Sequence, residues 1–377
     1  SSSRDEQGTT IKLHLKDEEL EFAEKHRLET VVKKYSNHIA FPIFLSYQEE
    51  DSEVEVKEGE DKPIIDKCEQ VNSALALWTK SKSDLTDEEY NEFYKTLSHD
   101  SENPLLSIHT KAEGKMEFTT LFYIPSKAPM DMYRVDYESG IKLYVKRVFI
   151  TDDDKELLPT YLRFVKGVID SQDLPLNVSR EILQQNRIMS KIRSNAVKKI
   201  LDKLRDTAND KEKYTEFFHQ FGRLIKEGVY QDYEHKEALT DLLRFKSTKE
   251  DGLVSLKDYV NRMDIDQKAI YYITGQNEGS LRNSPLLEMY QKKDIEVLIL
   301  DDEIDEIIIT SVPKYDEKDL KSVNRSGAAD DFSDEKDEDS EKSTKPVLKK
   351  IKKVLGDKVK DVKMSNRLSE IGRASCR

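Results

Sequence analysis

The sequence predicts an α/β protein built in several parts, and three observations lead to that fold class. Two segments rich in β-branched and aromatic residues, 116–125 and 141–151, are typical strands. Apolar residues recur at helical spacing from about 178 to 204, which indicates one long helix. Strand-like and helix-like segments alternate over 255–310, which predicts a parallel pair of strands joined by a right-handed crossover. We therefore expect α/β/α layers joined by helices.

The composition argues against several classes of protein. Of the 377 residues, 36% are hydrophobic and 36% charged. No apolar run approaches the ~18–20 residues of a membrane span, and the polar start does not resemble a signal peptide. Cys68 and Cys376 lie in opposite halves without metal or disulfide spacing, which suits a cytoplasmic protein. The net charge of −13 argues against non-specific nucleic-acid binding by the whole chain.

The first part of the chain alternates strand and helix patterns. Residues 9–15 alternate apolar and polar side chains like a half-buried strand, although no partner strand is near in sequence. Residues 17–34 have helical spacing and begin with acids, which favour a helix N-terminus. Segment 39–47 predicts a strand, and Pro42 indicates a sheet edge. Residues 49–61 carry eight acids and one lysine, which predicts a solvated hairpin tip.

The middle of the chain contains a change of apolar face. In an ideal strand over 141–151, Ile141 and Val145 lie on one side and Val148 on the other. This change predicts a bulge or a strand covered on both faces. Residues 156–169 have helical spacing, so we expect a helix there. The expected buried stripe of the long helix consists of Ile182, Met189, Ile192, Ala196, Ile200 and Leu204.

The remaining segments include helices and two stretches of opposite charge. Residues 214–228 and 235–245 predict a pair of helices. Residues 330–342 contain eight acids and two lysines and predict a disordered linker. Residues 345–363 contain eight lysines and two aspartates, and their apolar spacing predicts a basic amphipathic helix that ends at Gly356.

One segment is a candidate for chemistry. The sequence contains no P-loop, dinucleotide fingerprint, HExxH motif, nucleophile elbow or metal-ligand spacing. In 170–187, a loop that holds Pro175 leads into the long helix, with Arg180 at its start and Gln184 one turn later. A guanidinium at a helix N-terminus suits an anion such as phosphate. The alternative is an arginine that only solvates the helix face.

Many segments, in the same order along the chain, resemble the heat shock protein 90 chaperone family. The longest is 143–201, which contains LYVKRVFITDDDKELLPTYLRFVKGVIDSQDLPLNVSREILQQNR. The others are KKYSNHIAFPI, ALWTKSKSDLTDEEYNEFYK, FYIPSKAPMDMY, LLRFKST, SLKDYVNRM, IYYITG, SPLLEMYQKK and IEVLILDDEIDE. The resemblance covers residues 8–322 and continues weakly over 345–370. It is highly specific because so many motifs occur in the same order.

The resemblance implies an ATP-binding N-terminal domain, a middle domain and a C-terminal dimerisation domain. Residues 17–322 resemble the complete middle domain, whereas the nucleotide pocket and the dimerisation helices are not in this sequence. The expected parts, in chain order, are a leader with the last strand of the nucleotide-binding domain (1–16), a larger α/β part (17–175), a helical part (176–253), a smaller α/β part (254–322), an acidic linker (323–344), the start of a truncated α/β C-terminal domain (345–370) and a cloning remnant (371–377).

The resemblance also implies roles for single residues. In the closed chaperone, the arginine that matches Arg180 contacts the γ-phosphate held by the nucleotide-binding domain of the same chain, and the residue that matches Gln184 lines that interface. Phe149, Leu174 and Leu176 would form the apolar docking surface for that domain, with core packing as the alternative for Phe149. ATP and Mg²⁺ are expected in the full-length protein, whereas this fragment alone is expected to bind neither and to be no enzyme.

Client proteins are the expected partners, together with a second copy of the full-length chain. Trp78, the only tryptophan, lies between an apolar and a charged segment, which fits a core anchor or an exposed docking residue. The family favours docking. Glu306 and Ile307 match a client-contact region of the family. Ile308 or Ile309 must face inward, so Ile307 is the candidate contact.

Two other classes of function are alternatives. A stand-alone enzyme is disfavoured because no nucleophile–base pair or metal constellation is evident. A nucleic-acid-binding protein could use the basic helix 345–363. However, that helix lacks aromatic residues, and the neighbouring acidic linker would compete for its lysines.

Overall fold

The computed structural model describes residues 7–50, 63–114, 116–137, 140–152, 157–176, 187–325, 338–356, 359 and 362. The chain divides into two compact units, Ser1–Val197 and Lys198–Arg377. Helices and strands occur in both units, which confirms the α/β class in its general form. The finer layering and the domain boundaries stay predictions.

The first unit contains a sheet, a separate hairpin and flanking helices. Its elements are α1 (Lys25–Tyr35), β1 (Phe44–Glu50), β2 (Ile64–Gln70), α2 (Asp87–Ser98), β3 (Leu106–Ala112), β4 (Phe118–Ile124), β5 (Ile141–Val145), β6 (Val148–Thr151) and β7 (Lys166–Ser171). The long helix α3 (Arg187–Thr207) begins in this unit and continues past the division at Val197.

Strand β7 lies at the centre of the five-stranded sheet, whose order is β3-β4-β7-β5-β6. It pairs antiparallel with β4 and parallel with β5. Every residue of β4 is buried, as expected for a central strand. Because β7 is paired on both sides, its last residue, Ser171, gives a fixed starting point to the loop that follows.

The hairpin of β1 and β2 confirms only part of the strand predicted over 39–47, because β1 begins at Phe44, after Pro42. The two strands pair antiparallel, from Phe44 opposite Gln70 to Glu50 opposite Ile64. Most of the expected acidic hairpin tip lies outside the described residues, which stop at Glu50 and resume at Pro63.

Two predictions near the N-terminus differ from the structure. Residues 9–15 form no strand, and Ile11 and Leu13 are exposed. Alternation alone does not make a strand, because its backbone N–H and C=O groups need a paired neighbour. The helix expected over 17–34 is divided into a 3-10 helix, Asp17–Ala23, and α1, because Glu24 has an extended backbone.

The apolar change of face within 141–151 has two causes. Lys146 and Arg147 have φ angles of 51° and 67° and form a tight turn, so the segment is a hairpin of β5 and β6. The register also shifts between Leu143 and Tyr144, which confirms the predicted bulge. Turn and bulge each redirect the side chains that follow.

The helix expected over 156–169 is wrong. The described part contains one 3-10 turn, Thr160–Leu162, and then enters β7. Most side chains between Leu157 and Val168 are buried. When apolar residues are buried on every side, their spacing no longer separates a helix from a strand.

The second unit combines helices with another five-stranded sheet. Its elements are α4 (Lys211–Gln231), α5 (Lys236–Asp241), β8 (Lys246–Ser247), α6 (Leu256–Arg262), β9 (Ala269–Thr274), α7 (Glu278–Arg282), α8 (Glu288–Lys292), β10 (Val297–Leu300), α9 (Glu303–Ser311), β11 (Lys314–Tyr315), β12 (Lys318–Ser322) and α10 (Glu338–Leu355). The strand order is β11-β12-β9-β10-β8. The parallel pairing of β9 with β10 confirms the predicted parallel pair, and the right-handed connection stays a prediction.

The helix predictions hold best where the chain is strongly amphipathic. The described members of the α3 stripe, Met189, Ile192, Ala196, Ile200 and Leu204, are all buried, whereas Ile182 lies outside the described residues. Helix α10 ends before Gly356, whose φ of 53° suits a helix terminus. That helix starts at Glu338, so 338–342 are helical rather than disordered as expected.

Candidate functional site

The predicted phosphate-contacting residues follow strand β7 in the sequence. Arg180 and Gln184 lie outside the described residues, which resume at Arg187. The structure does describe the segment that leads to them, from β7 through Leu176. This described segment ends at Leu176, four residues before Arg180.

Asp170 is a buried carboxylate near the end of β7. Its side chain is 0% exposed. The indole N–H of Trp78 donates to Oδ2 at 2.8 Å, and the backbone N–H of Arg147 donates to Oδ1 at 3.1 Å. Burial raises the pKa of Asp170 above its ordinary value, and these two hydrogen bonds act in the opposite direction.

The loop after β7 is held by four hydrogen bonds of 2.7–3.3 Å. The hydroxyl of Ser171 accepts from the backbone N–H groups of Asp173 and Leu174, both at 3.3 Å. The carboxylate of Asp173 accepts from the backbone N–H of Glu117 at 2.7 Å, and the Gln172 backbone N–H donates to the Glu117 carbonyl at 2.9 Å. We define residues 171–176 as the anchored loop, since side-chain and backbone bonds fix its first half.

The predicted apolar docking surface is mostly buried. Phe149 is 8% exposed and packs edge-on against Tyr144, with ring centroids 5.7 Å apart. Leu174 is 1% exposed, whereas Leu176 is 53% exposed. The expectation that all three residues form a surface is therefore wrong for Phe149 and Leu174, which pack into the core. Leu176 is the member that solvent can reach.

Trp78 is also buried, so the core-anchor alternative applies to it and the expectation of an exposed docking residue is wrong. It is 1% exposed, and its ring centroid lies 4.8 Å from that of His38 and 4.9 Å from that of Tyr144. Its backbone carbonyl lies 2.9 Å from Nε2 of His109. The physical reason is Asp170, which accepts the indole N–H and so allows a tryptophan at a polar border to be buried.

The second predicted site lies on helix α9. Ile307 is 53% exposed and Glu306 is also exposed, whereas Ile308 and Ile309 are buried at 0% and 5%. The helix begins with a capping box in which the side chain of Asp302 accepts a backbone N–H and Asp305 reaches back. The structure thus confirms the predicted orientation of Ile307, while its role stays a prediction.

A buried ion pair fastens α9 to α4. Nζ of Lys226 lies 2.7 Å from Oδ1 of Asp305 and 3.7 Å from Oδ2 of Asp302. Lys226 is 7% exposed and Asp305 is 2% exposed. Burial raises the pKa of Asp305, and the charge of Lys226 opposes that rise.

Sequence reasoning missed the two carboxylates that hold these segments. Asp170 stands at the end of an apolar strand pattern, GVID, and an acid inside such a run is a signal that it has a partner. Asp305 could not be singled out from the sequence, because it is one of several acids at a helix N-terminus, where acids are common. No spacing rule connects Asp170 to Trp78, because the two are far apart in sequence.

Comparison with known proteins identifies the family. A family model described as Hsp90 protein matches residues 48–374. This chain belongs to the Hsp90 family. Its relatives include the Chaperone protein HtpG of Treponema denticola, 58% identical over 96% of this chain, and that of Aliarcobacter butzleri, 56% identical over 98%. The HtpG of Borreliella burgdorferi is 50% identical over 97% of the chain. The predicted resemblance to the heat shock protein 90 chaperone family is thus confirmed.

The chain corresponds to part of these Hsp90 relatives. It spans 58%, 60% and 59% of the lengths of the three HtpG proteins. Within the ranges that the structure describes, no helix is long and apolar enough to cross a membrane. In the same ranges, no group of three or more His, Cys, Asp or Glu side chains is placed to hold a metal ion.

Proposed function

We propose that this chain is part of an ATP-dependent molecular chaperone and has two roles there. It supplies Arg180 to the γ-phosphate of ATP in the nucleotide-binding domain of the same polypeptide, and it binds unfolded or partly folded client proteins. ATP and Mg²⁺ belong to the nucleotide-binding domain, and the chain alone binds neither. The full-length protein is a cytoplasmic homodimer. Membership in the Hsp90 family supports this proposal.

The observation that carries the phosphate role is the anchored loop. Its first half is fixed by the bonds of Ser171 and Asp173, and Leu174 is buried in the core. A rigid approach reduces the conformational freedom that Arg180 would lose on reaching a phosphate. A guanidinium presents two N–H groups to phosphate oxygens at once, so its contribution depends on orientation.

Leu176 and Gln184 complete the proposed contact with the nucleotide-binding domain. Leu176 exposes an apolar side chain at the end of the anchored loop, which suits an interface that opens and closes. Gln184, one helical turn beyond Arg180, lines the same interface and hydrogen-bonds within it. Closure then brings Arg180 to the phosphate only when the domains meet.

Client binding is proposed for α9. An exposed isoleucine beside an exposed glutamate offers an apolar contact in a hydrophilic surround, which can accept many unfolded segments. Ile307 is the proposed contact and Glu306 the polar neighbour. The Lys226–Asp305 pair holds the helix in place while its outer face binds.

Replacement of Arg180 by alanine in the full-length protein tests the phosphate role. We expect the maximal rate of ATP hydrolysis to fall about 30- to 1000-fold, which corresponds to ~2–4 kcal/mol of lost transition-state stabilisation. The affinity for ATP should stay nearly unchanged, because the contact forms only in the closed state. Steady-state kinetics and a separate ATP-binding titration measure the two quantities.

Two further variants serve as controls. Arg180→Lys should restore only part of the rate, since an ammonium cannot reproduce the two-pronged contact. Arg205→Ala removes an exposed arginine from helix α3 and should leave the rate unchanged. Near wild-type hydrolysis by Arg180→Ala, or equal losses of rate and ATP affinity, would show that Arg180 is only a solvated helix charge.

A further inference from the structure

A groove in the second unit lies beside the edge strand β11. It encloses about 760 Å³ and is bounded by α5, α6 and residues 311–316, which run from the end of α9 through β11. Neighbouring side chains of a strand point to opposite faces, yet all the consecutive residues of this stretch line the groove. The groove therefore follows the backbone of β11 along its edge, rather than one face of the sheet.

The outer edge of β11 presents backbone groups. In the described part of the chain, β12 is the only strand beside β11. Lys314 of β11 lies opposite Asp319. The neighbouring pair is hydrogen-bonded, because the backbone N–H of Leu320 donates to the carbonyl of Pro313 at 2.9 Å. Since hydrogen-bonded and non-hydrogen-bonded pairs alternate in antiparallel strands, the N–H and C=O of Lys314 point away from β12.

Two contacts with α5 hold the walls of the groove in place. The hydroxyl of Tyr315 donates to Oδ1 of Asp241 at 2.9 Å. Nζ of Lys236 donates to the backbone carbonyl of Ser311. The groove is thus already formed in the structure without an occupant, which lowers the free-energy cost of binding one.

The lining of the groove favours a polypeptide over a ligand with charge of one sign. Positive and negative side chains are equal in number, namely Lys236, Lys257, Lys314, Glu237, Asp241 and Asp316. An anionic polymer such as a nucleic acid would therefore meet as many acids as lysines. Backbone groups at a sheet edge bind an extended peptide without regard to its sequence, and Val260 and Pro313 offer apolar contacts to its side chains.

The groove also continues the proposed client contact on α9. Ile307 and Ser311 are four residues apart on this helix, so they lie on the same face. Ser311 lines the groove, and the distance along the helix between the two residues is about 6 Å. A polypeptide in contact with Ile307 can therefore enter the groove within one helical turn.

We propose that a segment of an unfolded client binds in this groove as an added strand, paired through its backbone with Lys314 and continuing to Ile307. This inference rests on the proposed binding of client proteins. Residues 312–316 offer room for about five residues of an extended chain, at ~3.3 Å each. Strand addition suits clients of many sequences, because the backbone hydrogen bonds are the same for all of them.

Lys314→Pro in the full-length protein tests this pairing. Proline removes the outward N–H, and an edge strand tolerates it where that N–H faces solvent. We expect the affinity for reduced and carboxymethylated lactalbumin, a permanently unfolded protein, to fall roughly fivefold. The matched control is Lys314→Ala, which loses the same charge but keeps the N–H and should bind nearly as tightly as the wild type.

Amide hydrogen exchange gives a second test that needs no substitution. It is measured on the full-length protein with and without saturating reduced and carboxymethylated lactalbumin. The amide of Lys314 should exchange roughly tenfold more slowly in the complex, because a client carbonyl accepts its hydrogen bond. The amide of Leu320, which already donates to Pro313, should be unchanged.

The outcomes separate this inference from the function on which it rests. Failure of the wild-type protein to bind the unfolded lactalbumin overturns client binding itself. Binding with unchanged exchange at Lys314, or with equal affinities of Lys314→Pro and Lys314→Ala, overturns strand addition alone. In that case β11 is a sheet edge that its lysine protects from pairing. Should thermal unfolding show that Lys314→Pro does not fold, the exchange measurement decides.

Discussion

Asp170 in the first unit and Asp305 in the second are both buried carboxylates, at 0% and 2% exposure, and each lies just before or within a segment of proposed function. Their partners differ. Asp170 accepts hydrogen bonds from the neutral indole N–H of Trp78 and from a backbone N–H. Asp305 pairs with the cation of Lys226 at 2.7 Å. Burial raises the pKa of both carboxyls.

The difference in partners determines what each buried carboxylate can do. Hydrogen bonds from an indole and a backbone amide are directional, so Asp170 fixes the position of two turns relative to β7. An ion pair with a flexible lysine tolerates a range of geometries but leaves a buried charge when one member is lost. We therefore expect changes at Asp170 to alter geometry most and changes at Lys226 to alter stability most.

Lys226→Met should have the largest effect on stability. Removal of the cation leaves Asp305 as an unpaired buried charge, which costs ~3–5 kcal/mol of unfolding free energy. This loss is measured by urea unfolding of the chain, monitored through a signal that reports on the second unit. Lys226→Met/Asp305→Asn should recover most of it, because no buried charge remains.

The control for that prediction is an exposed ion pair. Lys314→Met breaks the contact of Lys314 with Asp319, whose side chains are 63% and 52% exposed, and should cost less than about 1 kcal/mol. Equal losses for Lys226→Met and Lys314→Met would contradict the contrast between buried and exposed pairs.

Ile307→Ser should weaken client binding and leave stability unchanged. Ile307 is 53% exposed, so a client can bury about half of its side chain, which is worth ~1 kcal/mol or roughly fivefold in affinity. Binding of a permanently unfolded, reduced and carboxymethylated protein measures this change. Ile265→Ser removes a more exposed isoleucine outside α9 and should not alter binding. If both variants bind equally well, α9 is not the client site.

The smallest expected effect is a pH dependence of the stabilisation that Asp170 and Asp305 contribute to the fold, with the same sign for both residues. A raised pKa in the folded state means that the carboxyl stabilises the fold most below its ordinary pKa of 3.8 and that this contribution is lost as the pH rises through the folded pKa. The unfolding free energy of the wild type minus that of Asp305→Asn should therefore fall with rising pH, as should the difference for Asp170→Asn. Urea unfolding between about pH 4 and pH 7 measures both slopes. A rising difference for either residue would contradict burial as the dominant cause.

The candidate site was predicted in part from the sequence. The orientation of Ile307 followed from the neighbouring isoleucines, because a helix buries one stripe and leaves the rest exposed. The burial of Trp78, Phe149 and Leu174 did not follow, since a local pattern does not reveal which distant residues cover a side chain. The family resemblance favoured exposure of Trp78, and the partner that reverses this, Asp170, is distant in sequence.

The sequence by itself determined the family, the amphipathic helices and the parallel strands β9 and β10, because these depend on ordered motifs and on local periodicity. Only the tertiary structure decided that 9–15 is not a strand and that 156–169 leads into β7, because strand formation requires a partner and buried segments lack a polar face to set their period. It also decided which charges are buried. The free energy of a buried carboxylate depends on donors brought together by folding, and Asp170 and Asp305 obtain theirs from residues distant in the chain.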